Sequence, residues 1–165
     1  MNNERRHYRM VDVGGKEITR RRAIATGHIQ MNDPTFAMVR DASLPKGDPL
    51  RLAEVAAILA AKKTADIIPL CHPLGLDHVA VAFRLDESLP GVRVWCQATT
   101  SARTGVEMEA LSGVNAALLT IWDLAKQVQA DLAIGGVRLL LKEGGKSGHW
   151  QHPNGLGALP ELFQE

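Results

Sequence analysis

Between Val106 and Ala130 the apolar residues Leu111, Val114, Leu118, Ile121, Trp122, Ala125 and Val128 fall on one stripe, which predicts a long helix with a single core-facing side. A helix of that length needs a second layer to cover its stripe, and the rest of the chain supplies one. Residues 78–85 alternate, with Val79, Val81 and Phe83 to one side, and residues 92–98 alternate with Val92, Val94 and Cys96, so both read as half-buried strands. Pro90-Gly91 closes them into a hairpin. Residues 134–142, rich in valine and leucine, read as another strand. From Asp48 to about Ala65 the residues Leu52, Val55, Ala56, Leu59 and Ala60 recur at helical spacing, with Asp48 as N-cap and Pro49 at the first helical position. Thr35 to Arg40 reads as a short strand.

The resulting order is strand, helix, strand, strand, helix, strand. It is the order of a ferredoxin-like α+β sandwich, in which helices pack on an antiparallel sheet. The 165 residues suit one domain with a substantial core. Residues 1 to about 20 are polar and read as an irregular arm, and everything after Gly144 is rich in glycine and proline. Residues 1–9 and 151–165 are expected to be flexible ends. A net charge of +1 exerts no general pull toward nucleic acid or an acidic membrane, so neither is expected as a partner. Cys71 and Cys96 make no disulfide framework, the first residues contain no apolar signal segment, and no run approaches the roughly 18 apolar residues of a membrane span. These features fit the reduced cytoplasm.

Asp123 and Lys126, three residues apart on the long helix, are surface neighbours able to shift each other's proton affinity. They sit just off the edge of the apolar stripe, where burial and mutual attraction would pull their pKa values in opposite directions. A solvated ion pair satisfies the same spacing. Glu109 projects toward the same side but lies 14 residues earlier, about 21 Å along a helix. One small ligand does not span that distance within a single copy, so a long ligand or a second subunit is needed if both act. Glu107 falls on the stripe itself and requires a cation, Arg103 or a lysine. Cys71 and His72 adjoin in a turn bounded by Leu70 and Gly75. A structural zinc site would need a second pair at matching spacing, which the chain lacks, so a substrate contact or a plain turn is favoured over a metal site. Lys46-Gly47-Asp48, Gly144 to Gly148 and Arg20-Arg21-Arg22 are three basic clusters. Two are glycine-rich turns of the kind that offer backbone N–H groups to phosphate, and together they suggest a polyanionic small molecule. Leu140 stands where a Walker A loop requires glycine.

Met10 to Val13, Lys46 to Asp48, Ala60 to Thr64, Ile68 to Leu74, Thr104 to Leu111, Leu119 to Lys126 and Gly144 to Gly148 resemble, in order and spacing, the cyclic pyranopterin monophosphate synthase family, also called molybdenum cofactor biosynthesis protein C. The resemblance covers about residues 10 to 150. It implies a lyase that converts 3′,8-cyclo-7,8-dihydro-GTP into cyclic pyranopterin monophosphate and releases pyrophosphate. It implies Asp123 as catalytic acid/base, with Lys126 and Lys46 as partners. Leu70, Cys71, His72, Met108 and Glu109 would contact substrate, with Arg21, Glu107 and Lys146 completing the pocket. No metal ligand and no cofactor is implied, and a magnesium ion accompanying the triphosphate is not readable from sequence. The resemblance also implies a homohexamer, a trimer of dimers with active sites at subunit interfaces, in agreement with the separation of Glu109 from Asp123. Departures are Trp122 and Leu124 beside the aspartate, Ala57 where glycine is common, and Glu143 before the glycine pair.

Two other readings compete. RNA-recognition domains share the element order but stack bases on sheet aromatics, and this chain has seven aromatic residues, with Trp95 alone on the second hairpin strand. An inactive paralogue would keep the fold, yet Lys46, Asp123 and Lys126 are all retained.

Overall fold

The computed structural model describes residues 7–164. Its elements are β1 (Thr19–Gln30), α1 (Asp33–Arg40), α2 (Pro49–Lys62), α3 (Thr64–Ile67), β2 (His78–Asp86), β3 (Gly91–Ala102), α4 (Glu107–Ala125), β4 (Ala133–Glu143), β5 (His149–Gln151) and a final 3-10 turn (Glu161–Phe163). The strands form one sheet in the order β2-β3-β1-β4-β5, with every pair antiparallel. Its first four strands and the helices packed on them make the expected ferredoxin-like α+β sandwich, and β5 extends the edge at β4.

The first strand is not where the sequence placed it. Thr35 to Arg40 belongs to α1, which starts because the Asn32 side chain accepts a hydrogen bond from the Thr35 amide at 2.9 Å and Pro34 occupies the first turn. The true first strand, β1, is paired along its length by β3 on one side and β4 on the other. Its helix-side residues Ala23, Ala25 and Gly27 have little strand preference, so the two ladders rather than propensity hold it. Their small size is demanded by α4. A Cβ at Gly27 would come within 3.0 Å of Leu118, Val114 and Val137.

Core packing between helices and sheet follows the same rule of close approach. Gly113 of α4 crosses β3 so tightly that a Cβ there would lie 2.5 Å from Cys96 Sγ and 3.3 Å from the Ala57 carbonyl. Cys96 is fully buried below it, and burial pushes its thiol pKa up to about 12. Ala53, Ala57 and Ala61 give α2 the flat face on which α4 rests. The helix itself is shorter than its stripe predicted: it ends at Ala125, and Val128 lies exposed in the turn beyond.

A second cluster, Ile24, Ala80, Trp95, Leu140 and Leu141, lies on the opposite sheet face and is covered by Phe163, with Leu156 and Leu159 beside it. Part of the stretch expected as a flexible end, from Leu156 to Phe163, thus packs on the sheet. Arg22 donates to the Phe163 carbonyl at 2.6 Å, and Arg84 donates to the Ala158 carbonyl at 3.3 Å while stacking 5.1 Å from the Trp95 ring centroid. Leu156, Leu159 and Phe163 are spaced three and four apart, a helical interval, but Gly155, Gly157 and Pro160 break any helix there, so the spacing does not mark them as core. Of the other expected flexible end, residues 1–6 lie outside the described residues. No helix among the described residues is long and apolar enough to cross a membrane.

Candidate active site

Lys46, Asp123 and Lys126 converge at the C-terminal end of α4. Asp123 lies in the last turn and Lys126 caps the helix, while Lys46 arrives on the loop before α2, turned by Gly47 at φ 105° and anchored by the Asp48 cap. Lys126 Nζ donates to Asp123 Oδ1 at 2.6 Å, and Lys46 Nζ donates to Oδ2 at 3.0 Å and to the Asp123 carbonyl at 3.2 Å. Each carboxylate oxygen therefore faces one ammonium. The Asp123 side chain is half exposed, so desolvation is the weaker influence. The hydrogen bonds from Lys126 and then Lys46 hold its pKa below the ordinary carboxylate value. The opposition anticipated from sequence is decided in favour of attraction, and the resting group is a carboxylate able to accept a proton.

The sign of this shift sets a pH dependence. Because the folded state lowers the pKa, the charged form is lost at a lower pH than in an ordinary aspartate. Any rate that needs Asp123 as a base should have its acid limb below the ordinary aspartate range, and Lys126→Ala should move that limb upward. A native limb centred above about pH 5 in a single-turnover pH profile would contradict an ionised Asp123 base.

At the other end of α4, a cavity of about 380 Å³ is lined by all six residues expected from the turn and the helix start: Leu70, Cys71, His72, Glu107, Met108 and Glu109. His72 Nε2 donates to the Val11 carbonyl at 2.8 Å, so the N-terminal arm forms one wall. Glu107 folds back over Gly105, where any Cβ would overlap its carboxylate, and its Oε1 meets Lys142 Nζ at 3.3 Å. Lys142 is thus the cation that Glu107 needs, and Arg103 instead donates to the Lys16 carbonyl at 3.0 Å. Glu109 is only 5 % exposed, and burial, then the Glu107 charge, raises its carboxyl pKa. Burial and the nearby Glu109 raise the Cys71 thiol as well, making it a weak nucleophile at neutral pH. No group of three or more His, Cys, Asp or Glu side chains among the described residues is arranged to hold a metal ion.

A second cavity, about 610 Å³, contains Arg21 and Lys146 together with Gly15, Lys16, Gly145 and Ser147. Gly144 and Gly145 have φ values of 99° and 72°, and a Cβ at Gly145 would strike the Arg21 guanidinium. Glycine is therefore required there twice over, by conformation and by contact. Arg21 Nε is buried with no hydrogen-bond partner among the described residues. Lys16 lines both cavities, joining an apolar and acidic compartment to a basic one. Sequence reasoning passed over Lys16. The available signal was the tripeptide Gly-Gly-Lys, which occurs at residues 14–16 and again at 144–146, and both copies reach the basic cavity.

The expected site residues thus form two groups in one chain. Asp123 with its two lysines is separated from Glu109 and the cavities by about 21 Å of helix. Against known proteins, residues 10–145 match the model described as the MoaC family.

Proposed function

The chain belongs to the MoaC family, enzymes of molybdenum cofactor biosynthesis that act on a small-molecule substrate, and from this we propose that it is a cyclic pyranopterin monophosphate synthase. In this reading it is a cytoplasmic lyase that converts 3′,8-cyclo-7,8-dihydro-GTP into cyclic pyranopterin monophosphate and pyrophosphate, with no cofactor of its own. The observation that carries the reading is the junction of Lys46 with Asp123, 77 residues apart in sequence, around a carboxylate already paired with Lys126.

Ring opening, pterin closure and attack of a ribose oxygen on the α-phosphate each move protons. Asp123 accepts them, and the two ammonium groups hold it ionised and stabilise negative charge as it develops. Arg21 and Lys146, with Lys16, take the triphosphate and favour departure of pyrophosphate. Leu70, Cys71, His72, Met108 and Glu109 hold the base-derived ring in the adjoining compartment, with Glu107 beside them on Lys142.

The two groups of residues work together when a second copy brings its Asp123 to the cavities, in a homohexamer built as a trimer of dimers. Support comes from Leu52, Val55 and Leu59 on α2 and Leu119 on α4, apolar side chains left at least half exposed. The RNA-reader alternative loses its main platform, because Trp95 is buried beneath Arg84 and the tail. Single-turnover incubation with the cyclised dihydro-GTP tests the proposal: about one pyrophosphate per site is expected at saturation. Tight binding with no pyrophosphate would favour an inactive paralogue.

A further inference from the structure

Glu143, a departure from the family pattern, sits at the neck of the β4–β5 hairpin that carries Lys146. The strand register sets Arg22, Glu143 and His149 side by side, Arg22 opposite Glu143 and Glu143 opposite His149. Arg22 Nη1 donates to Glu143 Oε2 at 3.4 Å, and His149 Nδ1 lies 3.2 Å from Oε1. The same guanidinium donates through Nε to Gln97 Oε1 at 2.9 Å and through Nη2 to the Phe163 carbonyl. A line of contacts therefore runs from the buried tail through Arg22 to both sides of the hairpin neck. The loop beyond it is built on glycine: Gly144, Gly145 and Gly148 all have positive φ, and Gly144 N–H to Gly148 carbonyl (3.0 Å) closes it.

We propose that Glu143 is a positioning residue for polyanion binding: clamped between Arg22 and His149, it fixes the hairpin neck so that Lys146 stays aimed into the basic cavity. The inference rests on the reading of Lys146 as a phosphate contact. Charge alone argues for the opposite effect. A carboxylate near the cavity rim repels a triphosphate, so its removal should tighten binding. Positioning requires that removal loosen binding, because the freed hairpin must then be ordered by the ligand. The two accounts differ in sign.

Calorimetric titration of the full chain with inorganic triphosphate decides between them. Glu143→Ala is expected to weaken binding about ten-fold, in line with loss of charge-assisted hydrogen bonds. Glu143→Gln keeps an acceptor for Arg22 and is expected to recover most of the affinity, whereas a purely electrostatic role would make both variants bind more tightly. Because Glu143 acts through Lys146, the double variant Glu143→Ala/Lys146→Ala should bind within about two-fold of Lys146→Ala alone. Unchanged or tighter binding by Glu143→Ala, or losses that add in the double variant, would overturn the positioning role and leave Lys146 as a phosphate contact. Lys146→Ala binding like the native chain would refute the phosphate site and the proposal with it.

Discussion

Asp123→Asn is expected to slow pyrophosphate release about a thousand-fold, the scale associated with loss of a positioned acid or base. The amide keeps the shape of the carboxylate and can still accept a hydrogen bond, but it has no basic oxygen to take a proton. The side chain is half exposed and contributes to no buried cluster, so the thermal midpoint should barely change. Substrate binding should also survive, since the substitution removes no cation and leaves the residues lining the two cavities intact. A variant that releases pyrophosphate at the native rate would remove Asp123 from the chemistry. The same variant tests sharing of sites between copies. Refolded together with a chain blocked at the pocket by Met108→Arg, it should regain about one quarter of native sites, because half of randomly paired dimers would carry one intact site of two. A mixture as inactive as its components would place the whole reaction within one chain.

Phe163→Ala is expected to cost about 3–4 kcal/mol, the usual range for emptying a buried aromatic position. In a chain of this size the loss corresponds to a fall of about 10 °C in thermal midpoint. Phe163 is 1 % exposed and fills the space over Ile24, Trp95, Leu140 and Leu141. Its neighbour Leu162 is 57 % exposed, so Leu162→Ala is the internal control and should cost about 0.5 kcal/mol or less. A loss below about 1 kcal/mol for Phe163→Ala in urea unfolding would show that the tail contributes little to the native state.

Elements with clean periods were legible before the structure. The extent of α2, the β2–β3 hairpin and most of α4 read directly from apolar spacing, and the Asp48 cap marked the start of α2, although Leu52, Val55 and Leu59, which set the α2 period, form its exposed face and Ala53, Ala57 and Ala61 its buried one. The first strand was not legible, because β1 begins with an arginine run and continues with alanine and glycine chosen by the pressure of α4 rather than by strand preference. The six residues Thr35 to Arg40 are too short to separate a period of two from one of 3.6, and only the Asn32 cap distinguishes them. At the site, the Asp123–Lys126 pair was visible from its spacing of three. Lys46 was visible only as part of a basic turn, and its partnership with Asp123 came from resemblance alone, since no local pattern joins residues that meet through the fold. Lys142 was visible only as an unnamed lysine demanded by Glu107. The latch of Arg22 on the Phe163 carbonyl, across 141 residues, left no trace in any window of the chain.

The contact of Gly113 with Cys96 gives the molecule an internal clock. Cys71 is partly open to solvent, so a thiol reagent consumes one equivalent in the folded chain, slowly because that sulfur resists ionisation. Cys96 is sealed between α4 and β3 and reacts only while the helix layer is lifted from the sheet. The rate of the second equivalent therefore times separation of the two layers without any added label.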